Sequence, residues 1–323
     1  MIIEEVFHNI YRMEIPLPES PLKAINAYVI RNEDRNLIID TGMNRRECRE
    51  AMNEGLRALG VDLSATDFFI THHHADHFGL VSEMAGEGSR ICFNRPDARF
   101  FQIPDIWERI VEAALANGFP AAEVAPVMSR HPARRYQQQG PLELTFLREG
   151  DTLTAGGYTF QCVETPGHTP GHLCLYDPDT RIFFAGDHIL EDITPNIIMF
   201  DENANPLAHY LESLDKIDRF DISQVFPGHR RVFTDCRGRI AELKHHHALR
   251  LKEVKDILAK GRQSAYETAS RMSWDIECED WGDFPVAQKW FATGEAYAHL
   301  LYLAAQGEVI RERADGGTFF ALA

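Results

Sequence analysis

"THHHADHFG", residues 71–79, sets His72, His73, His74, Asp76 and His77 almost side by side. A histidine run alone decides nothing, because such runs also occur on solvated surfaces. The apolar stretch before it, "TDFFI" at 66–70, reads as a short buried strand. In extended backbone, residues two apart share a face, so His72 and His74 project together and His73 projects the other way. Asp76 and His77 follow where the chain turns toward an expected helix beginning "FGLVSEMA", which points them back at the same space. Neutral imidazoles with one carboxylate suit a borderline cation such as Zn2+.

Matching ligands stand at three later strand ends. His168 lies in "TPGHTPGH" after "YTFQCVE", Asp187 in "FFAGDH" after "RIFFA", and His229 in "FPGH" after "SQVF". Each is a metal-capable side chain beside Gly or Pro that lets the chain turn tightly. One such residue is ordinary; four strand ends that all deliver one form a constellation. The cluster therefore reads as a metal site.

Composition narrows the class. The 323 residues are 44% hydrophobic and 25% charged, with no apolar run long enough to cross a bilayer. The acidic start, "MIIEEVFHNIYRMEIPLPE", does not resemble a targeting peptide, so a cytoplasmic location is expected. Six scattered cysteines form no C-x-x-C pair, and Cys92, Cys162 and Cys174 sit in strand-like runs, which predicts buried free thiols. A net charge of −16 repels nucleic acid and anionic membranes in the absence of a basic patch. No long Lys/Arg run supplies one, and His245, His246 and His247 are too weakly charged to do so. The expected partner is a small-molecule substrate.

Strands and helices alternate from "AYVI" and "NLIIDTG" through a helix at 45–59, "TDFFI", and the later runs "ELTFL", "YTFQCVE", "HLCLYD" and "RIFFAGD". A helix from Pro206 to Phe220 leads into "SQVFPGH". This order predicts an α/β layered fold. Residues 97–140 interrupt it with helical periodicity broken by Pro104, Gly118, Pro120 and Pro126, which predicts a two-helix insertion. Carrying Phe100, Phe101 and Trp107, that insertion either covers a sheet edge or forms a lid over the site. Beyond residue 236 three helices and a terminal hairpin turning at "ADGG" describe a winged-helix module. With twelve Lys or Arg against thirteen Asp or Glu, it lacks the positive face of a DNA reader. Its apolar Trp274, Trp290 and Phe291 exceed what a small three-helix unit needs, which raises the expectation of a homodimer.

"HHHADH" has the H-x-H-x-D-H pattern of the metallo-β-lactamase superfamily, and "TPGHTPGH", "FAGDH" and "FPGH" resemble its later metal motifs in order. The tail is similar, more loosely, to the winged-helix-like domain of the lactamase-like protein 2 subgroup. The resemblance implies an αββα sandwich over residues 1–236, with the helical insertion at 97–140, and a winged-helix-like domain over 237–323. It implies two divalent ions, zinc first and manganese or iron as alternatives. His72, His74 and His168 would hold one ion, Asp76, His77 and His229 the other, and Asp187 would bridge them. Asp76 would also help pass a proton to the leaving group. Asp40, in the "DTG" motif, is implied to orient a ligand histidine; as a residue, it reads equally as an Asp opening a turn.

The superfamily includes glyoxalase II-type thioesterases, lactonases, β-lactamases, phosphodiesterases, ribonucleases and dioxygenases. The full ligand set disfavours the single-iron dioxygenases, and charge disfavours RNA. The expected substrate is therefore a thioester or ester entering beneath Phe100, Phe101 and Trp107, with a lactone, a phosphodiester or single-stranded RNA as alternatives. Arg230 and Arg231 either bind a substrate anion or are solvated, and His188 either lines the pocket or packs. A metal-independent DNA-binding regulator is the reading from another class.

Overall fold

Runs of Val, Ile, Leu and Phe too apolar to leave either face in water dictate strands covered on both sides. The computed structural model describes residues 2–138, 140–198, 203–276, 278–314 and 316–323. Seven strands form the first sheet in chain order: β1 (Ile3–Phe7), β2 (Ile10–Pro16), β3 (Ala24–Ile30), β4 (Asn36–Ile39), β5 (Thr66–Phe69), β6 (Ile91–Asn94) and β7 (Leu144–Leu147). The first four run antiparallel and β4 to β7 run parallel. The second sheet contains β8 (Thr152–Ala155), β9 (Tyr158–Glu164), β10 (Leu173–Asp177), β11 (Ile182–Gly186) and β12 (Gln224–Pro227) in the order β12-β11-β10-β9-β8. Only its β11–β12 pair is parallel.

Four layers result. Helix Arg46–Ala58 lays Cys48, Met52 and Leu56 on the outer face of the first sheet, against Ile25, Ile38 and Phe68. Tyr28, Ile39, Phe69, Phe160, Leu175, Phe184 and Phe226 fill the space between the sheets. Leu207, Tyr210 and Leu214 from helix Pro206–Ile217 cover the far side, together with Ile240 and Leu243 from helix Cys236–Leu258. Each fully buried Phe contributes about 1.5–3 kcal/mol, so the seam between the sheets is a main source of stability. The α/β fold with two mixed sheets and flanking helices is the one the motif resemblance implied.

Three strands were not foreseen. β1, the edge strand, is broken by Glu4 and Glu5, β2 beside it by Arg12 and Glu14, and β8 is four residues long with two exposed, so none has a continuous apolar run. The insertion holds the two expected helices, Ile106–Ala116 and Ala121–Arg130, and two further turns, Arg95–Phe100 and Pro132–Arg135. Prolines explain the division: Pro96 and Pro132 open helices, and Pro120 stands at the start of another. The insertion is the crossover from β6 to its parallel neighbour β7, a connection that needs a helical detour.

Past Asp235, which caps it, helix Cys236–Leu258 is followed by helices Ala265–Ala269 and Val286–Ala305 and by strands β13 (Val309–Ala314) and β14 (Gly317–Leu322). Asp315, in the expected "ADGG" turn, lies outside the described residues. The tail shares cores with its neighbours. Ala298 joins the layer over the second sheet, and Trp290 is buried with Ala114, Phe119, Val127 and Met128 of the insertion. Lys289, 5% exposed, meets Glu123 of the insertion at 3.2 Å. Trp274 donates its indole N–H to the Ala269 carbonyl and lies under Arg250. The apolar residues that suggested a dimer are thus engaged within the chain. No helix among the described residues is long and apolar enough to cross a membrane.

Trp290→Ala opens a cavity in the seam of insertion and tail. It should cost about 3–5 kcal/mol and speed hydrogen exchange in 106–130 as well as in 286–305. Faster exchange confined to the tail would show that the two do not share a core.

Candidate metal centre

Five strand ends meet at one edge of the sandwich. The chain leaving β4 carries Asp40, that leaving β5 carries His72 and His74, and those leaving β9, β11 and β12 carry His168, Asp187 and His229. Asp76 and His77 ride on a one-turn helix, Ala75–Phe78, rather than ahead of a longer one. The donor atoms of His72, His74 and His168 lie within 4.8 Å of one another, and so do those of Asp76, His77 and His229. Asp187 touches both groups: Oδ1 is 3.5 Å from His77 Nε2, and Oδ2 is 3.6 Å from His168 Nε2 and 3.4 Å from His229 Nε2. Gly228 permits this approach, since a Cβ there would stand 2.4 Å from Asp187 Oδ1. His73 points away and stacks on Phe100, with ring centroids 4.4 Å apart.

The outer ring nitrogens determine what the inner ones present. His168 Nδ1 donates to the Asn196 carbonyl at 2.8 Å and His229 Nδ1 to the Ala24 carbonyl at 2.7 Å. A carbonyl only accepts, so the proton sits on Nδ1 and the Nε2 lone pair faces the cluster. His77 Nδ1 lies 2.7 Å from Asp40 Oδ2. Asp40 also accepts from the Thr71 amide and hydroxyl at 2.9 Å each, and that hydroxyl takes His72 Nδ1 at 3.0 Å. His74 is turned the other way: its Nδ1 lies 3.0 Å from both His72 Nε2 and His168 Nε2.

These residues fit a pair of cations. His77 Nε2, Asp187 Oδ1 and His229 Nε2 are buried without a hydrogen-bond partner. Each such orphan costs about 1–3 kcal/mol, and all three belong to one cluster. Burial alone would depress His229, yet Asp187 and Asp76 raise it to about 10. His77 is likewise driven up against burial, by Asp187, Asp40 and Asp76. Burial would raise Asp76, but His77 and His229 hold it down to about 2. The carboxylates demand positive charge at the place where the lone pairs converge.

Two further residues position the site, and nothing in the sequence had marked them. Asp97 is 1% exposed and accepts from the His73 amide (2.9 Å), the Thr169 hydroxyl (2.8 Å) and the Gly171 amide (2.7 Å). It locks the loop of His72 and His74 to the loop of His168. Burial would raise its carboxyl, but His73 and these bonds hold it at about 2. His172 accepts the Asp187 amide on Nε2 at 3.0 Å and meets Thr165 through Nδ1 at 2.8 Å. Burial pushes it down to about 3. "PDA" reads as an ordinary helix start, and the second histidine of "TPGHTPGH" is indistinguishable by type from the first.

The expected substrate residues divide. Phe101, 38% exposed, stacks on Phe78 beside His73, and Trp107 meets Phe100 at 6.2 Å. His74 and Asp76 are the partly exposed members of the cluster, which therefore opens on their side. His188 is 0% exposed behind Asp187 and packs on Tyr210, so it does not line the opening. Arg231 is paired with Glu191 at 2.7 Å, and Arg230 faces Asp192 at 3.6 Å.

The sequence model of the Metallo-beta-lactamase superfamily matches residues 21–229. The "Probable metallo-hydrolase YqjP" of Bacillus subtilis is 26% identical over 97% of this chain and 97% of its own. The human "Acyl-coenzyme A thioesterase MBLAC2" is 23% identical over 64% of this chain and 74% of its own. Among solved structures, a metallo-beta-lactamase family protein of Thermus thermophilus superposes with a TM-score of 0.84 at 28% identity, covering 99% of this chain and 100% of that one.

Asp40→Asn keeps the shape but weakens the hold on His77, and should lower zinc affinity about 10–100-fold in a chelator competition. Stability should also depend on pH differently with and without metal. With a folded pKa of about 10, His229 stabilises fully below its ordinary 6.5 and loses that contribution as pH rises to about 10. His172 and His299, depressed by burial to about 3 and about 4, gain protons on unfolding, so stability also falls below 6.5. Metal-free protein should melt highest near pH 6.5, and zinc should abolish the alkaline limb. An alkaline limb unchanged by zinc would show that His229 faces no ion.

Proposed function

The chain belongs to the metallo-β-lactamase superfamily and is a metallo-hydrolase; from that premise we propose that it cleaves an acyl thioester at a pair of zinc ions. The observation that carries the acyl reading is the aromatic wall of Phe100, Phe101 and Trp107, which packs around His73, the residue between the candidate ligands His72 and His74. An apolar wall next to a hydrolytic centre suits a hydrocarbon chain better than a ribose-phosphate backbone. The net charge of −16 points the same way, and the human relative is named as an acyl-coenzyme A thioesterase.

On this reading His72, His74 and His168 would hold one ion and Asp76, His77 and His229 the other, with Asp187 in reach of both groups. Bound there, the two ions would supply Lewis-acid polarisation of the thioester carbonyl and a water acidified to near neutrality. The protein orients these groups through Asp40, Asp97 and His172 and seats the acyl chain along the aromatic wall. Asp76 meets His229 through Oδ2, and its other oxygen is the proton acceptor when water adds to the acyl carbon. The C–S bond then breaks, and the proton passes from Asp76 to the departing sulfur. A thiol with an ordinary pKa near 8.5 needs little help to leave, so an aspartate suffices for this transfer. Residues 1–236 carry the chemistry, and the winged-helix-like residues 237–323 buttress the insertion.

A panel of acyl thioesters, acyl lactones, a bis-phosphodiester and single-stranded RNA on zinc- and manganese-loaded protein tests the proposal. Thioester turnover should dominate and fall to background in Asp187→Ala and after chelation. Phe100→Ala should raise KM for long acyl chains more than for short ones. Phosphodiester or RNA turnover with silent thioesters would replace this reading.

A further inference from the structure

The insertion carries an unpaired cationic surface on an otherwise acidic chain. Arg95, Arg99, Arg109, Arg130, Arg134 and Arg135 are all exposed, and among the described residues none has an ion-pair partner. Arg31, Arg57, Arg219, Arg237 and Arg271 likewise lack one, but they are spread along the chain, whereas these six all fall between residues 95 and 135. Arg230 and Arg231, the sequence's candidates for an anion, are already engaged by Asp192 and Glu191.

Three of the six lie over an aromatic ring: Arg95 is 4.3 Å from the Phe146 centroid, and two more stand near the metal-binding loop. The Arg134 guanidinium lies 5.7 Å from the Trp107 ring centroid and that of Arg135 lies 4.9 Å from the Tyr136 centroid. A guanidinium held over an aromatic ring keeps N–H groups available for an oxyanion, and paired N–H bonds grip phosphate well. Both arginines end the helix Pro132–Arg135, and two residues on Gln137 donates to the His73 carbonyl at 2.9 Å. From the other side Trp107 leads through Phe100 to the His73 ring. The pair is thus tied by both routes to the metal-binding loop. The exposed carboxylates of the insertion, Asp105, Glu108 and Glu112, pair with neither. The remaining negative charge of the chain is screened beyond a Debye length of about 8 Å at physiological salt, so the field at this rim is set locally.

We propose that Arg134 and Arg135 bind the phosphate groups on the thiol side of the substrate, which makes it a thioester of a small phosphate-bearing carrier thiol. This rests on the thioester reading above and assigns the two halves of the substrate to opposite sides of the aromatic wall: acyl chain inside, phosphates at the rim.

The test compares one acyl group carried by coenzyme A and by N-acetylcysteamine, which has no phosphate. In Arg134→Ala/Arg135→Ala, KM for the coenzyme A thioester should rise about a hundredfold, about tenfold per charge-assisted contact. kcat should hold, and the phosphate-free thioester should be unaffected. Added salt should weaken only the wild type's preference. Equal effects on both substrates, or on neither, would overturn the assignment, as would turnover of a carrier-protein thioester alone. Titration of metal-free protein with free coenzyme A separates this claim from the function it rests on. Binding lost in the variant supports the rim even where no thioester is hydrolysed; absent binding in the wild type sinks it.

Discussion

Asp187 imposes the constraint from which the rest of the site follows. Its carboxylate is 6% exposed at the end of β11, and burial opposes its charge. An uncompensated ion there would cost several kcal/mol. His229 and His77 nevertheless hold it ionised, well below the ordinary carboxylate range. Compensation has to come either as protons on those imidazoles or as cations between them. The geometry favours cations, because the lone pairs of His168 and His229 are aimed inward by carbonyls that can only accept at the outer nitrogens. A protonated cluster meets the charge but leaves buried donors unpartnered; a metal pair meets both demands.

Such a site cannot be assembled from one sheet. The loop of His229 follows β12 of the second sheet, yet the first sheet fixes it. Asn26 donates to the Pro227 and Arg230 carbonyls, Tyr28 donates to Pro227, and Arg12 donates to Arg230. Arg230 is held at a φ of 70°, a conformation that a non-glycine residue keeps only when its neighbours enforce it. Asp97, after β6, clamps the His168 loop of the opposite sheet in the same manner. Cross-sheet hydrogen bonds therefore convert the packing of two sheets into ångström-level placement of ligand atoms, and the ligand geometry depends on the whole sandwich core.

What was legible in the sequence follows this division. Ligand residues could be read because each combines a metal-capable side chain, a preceding apolar run and a small residue at the turn, all within a few positions. The strands that failed to announce themselves lack that run: β1 and β8 carry exposed residues, and β2 is interrupted by Arg12 and Glu14, which pair with each other. Asp97 and His172 stayed hidden for another reason. Their roles are defined by partners such as Gly171 and Asp187, which lie far off in sequence or belong to another strand end, and nothing local marks them. The tail's apolar surplus, by contrast, has a partner within the chain that the sequence does not show: Trp290 and Phe291 pack against the insertion.

That shared seam bears on how the wall beside the metal centre keeps its shape. An insertion of short helices broken by prolines has little stability of its own, since isolated helices of this length are marginal in water. Here Phe119 and Trp290 pack edge to face at 5.1 Å, and the Tyr266 amide donates to the Asn117 carbonyl. The buried Lys289–Glu123 pair adds positional demand more than stability, because a buried ion pair roughly breaks even against desolvation. The tail thereby converts a marginal segment into a fixed one. His131, half-buried between Trp107 and Phe291, shows the continuity: one imidazole touches both the wall and the tail. The C-terminal helices thus set the position of the aromatic residues packed around His73.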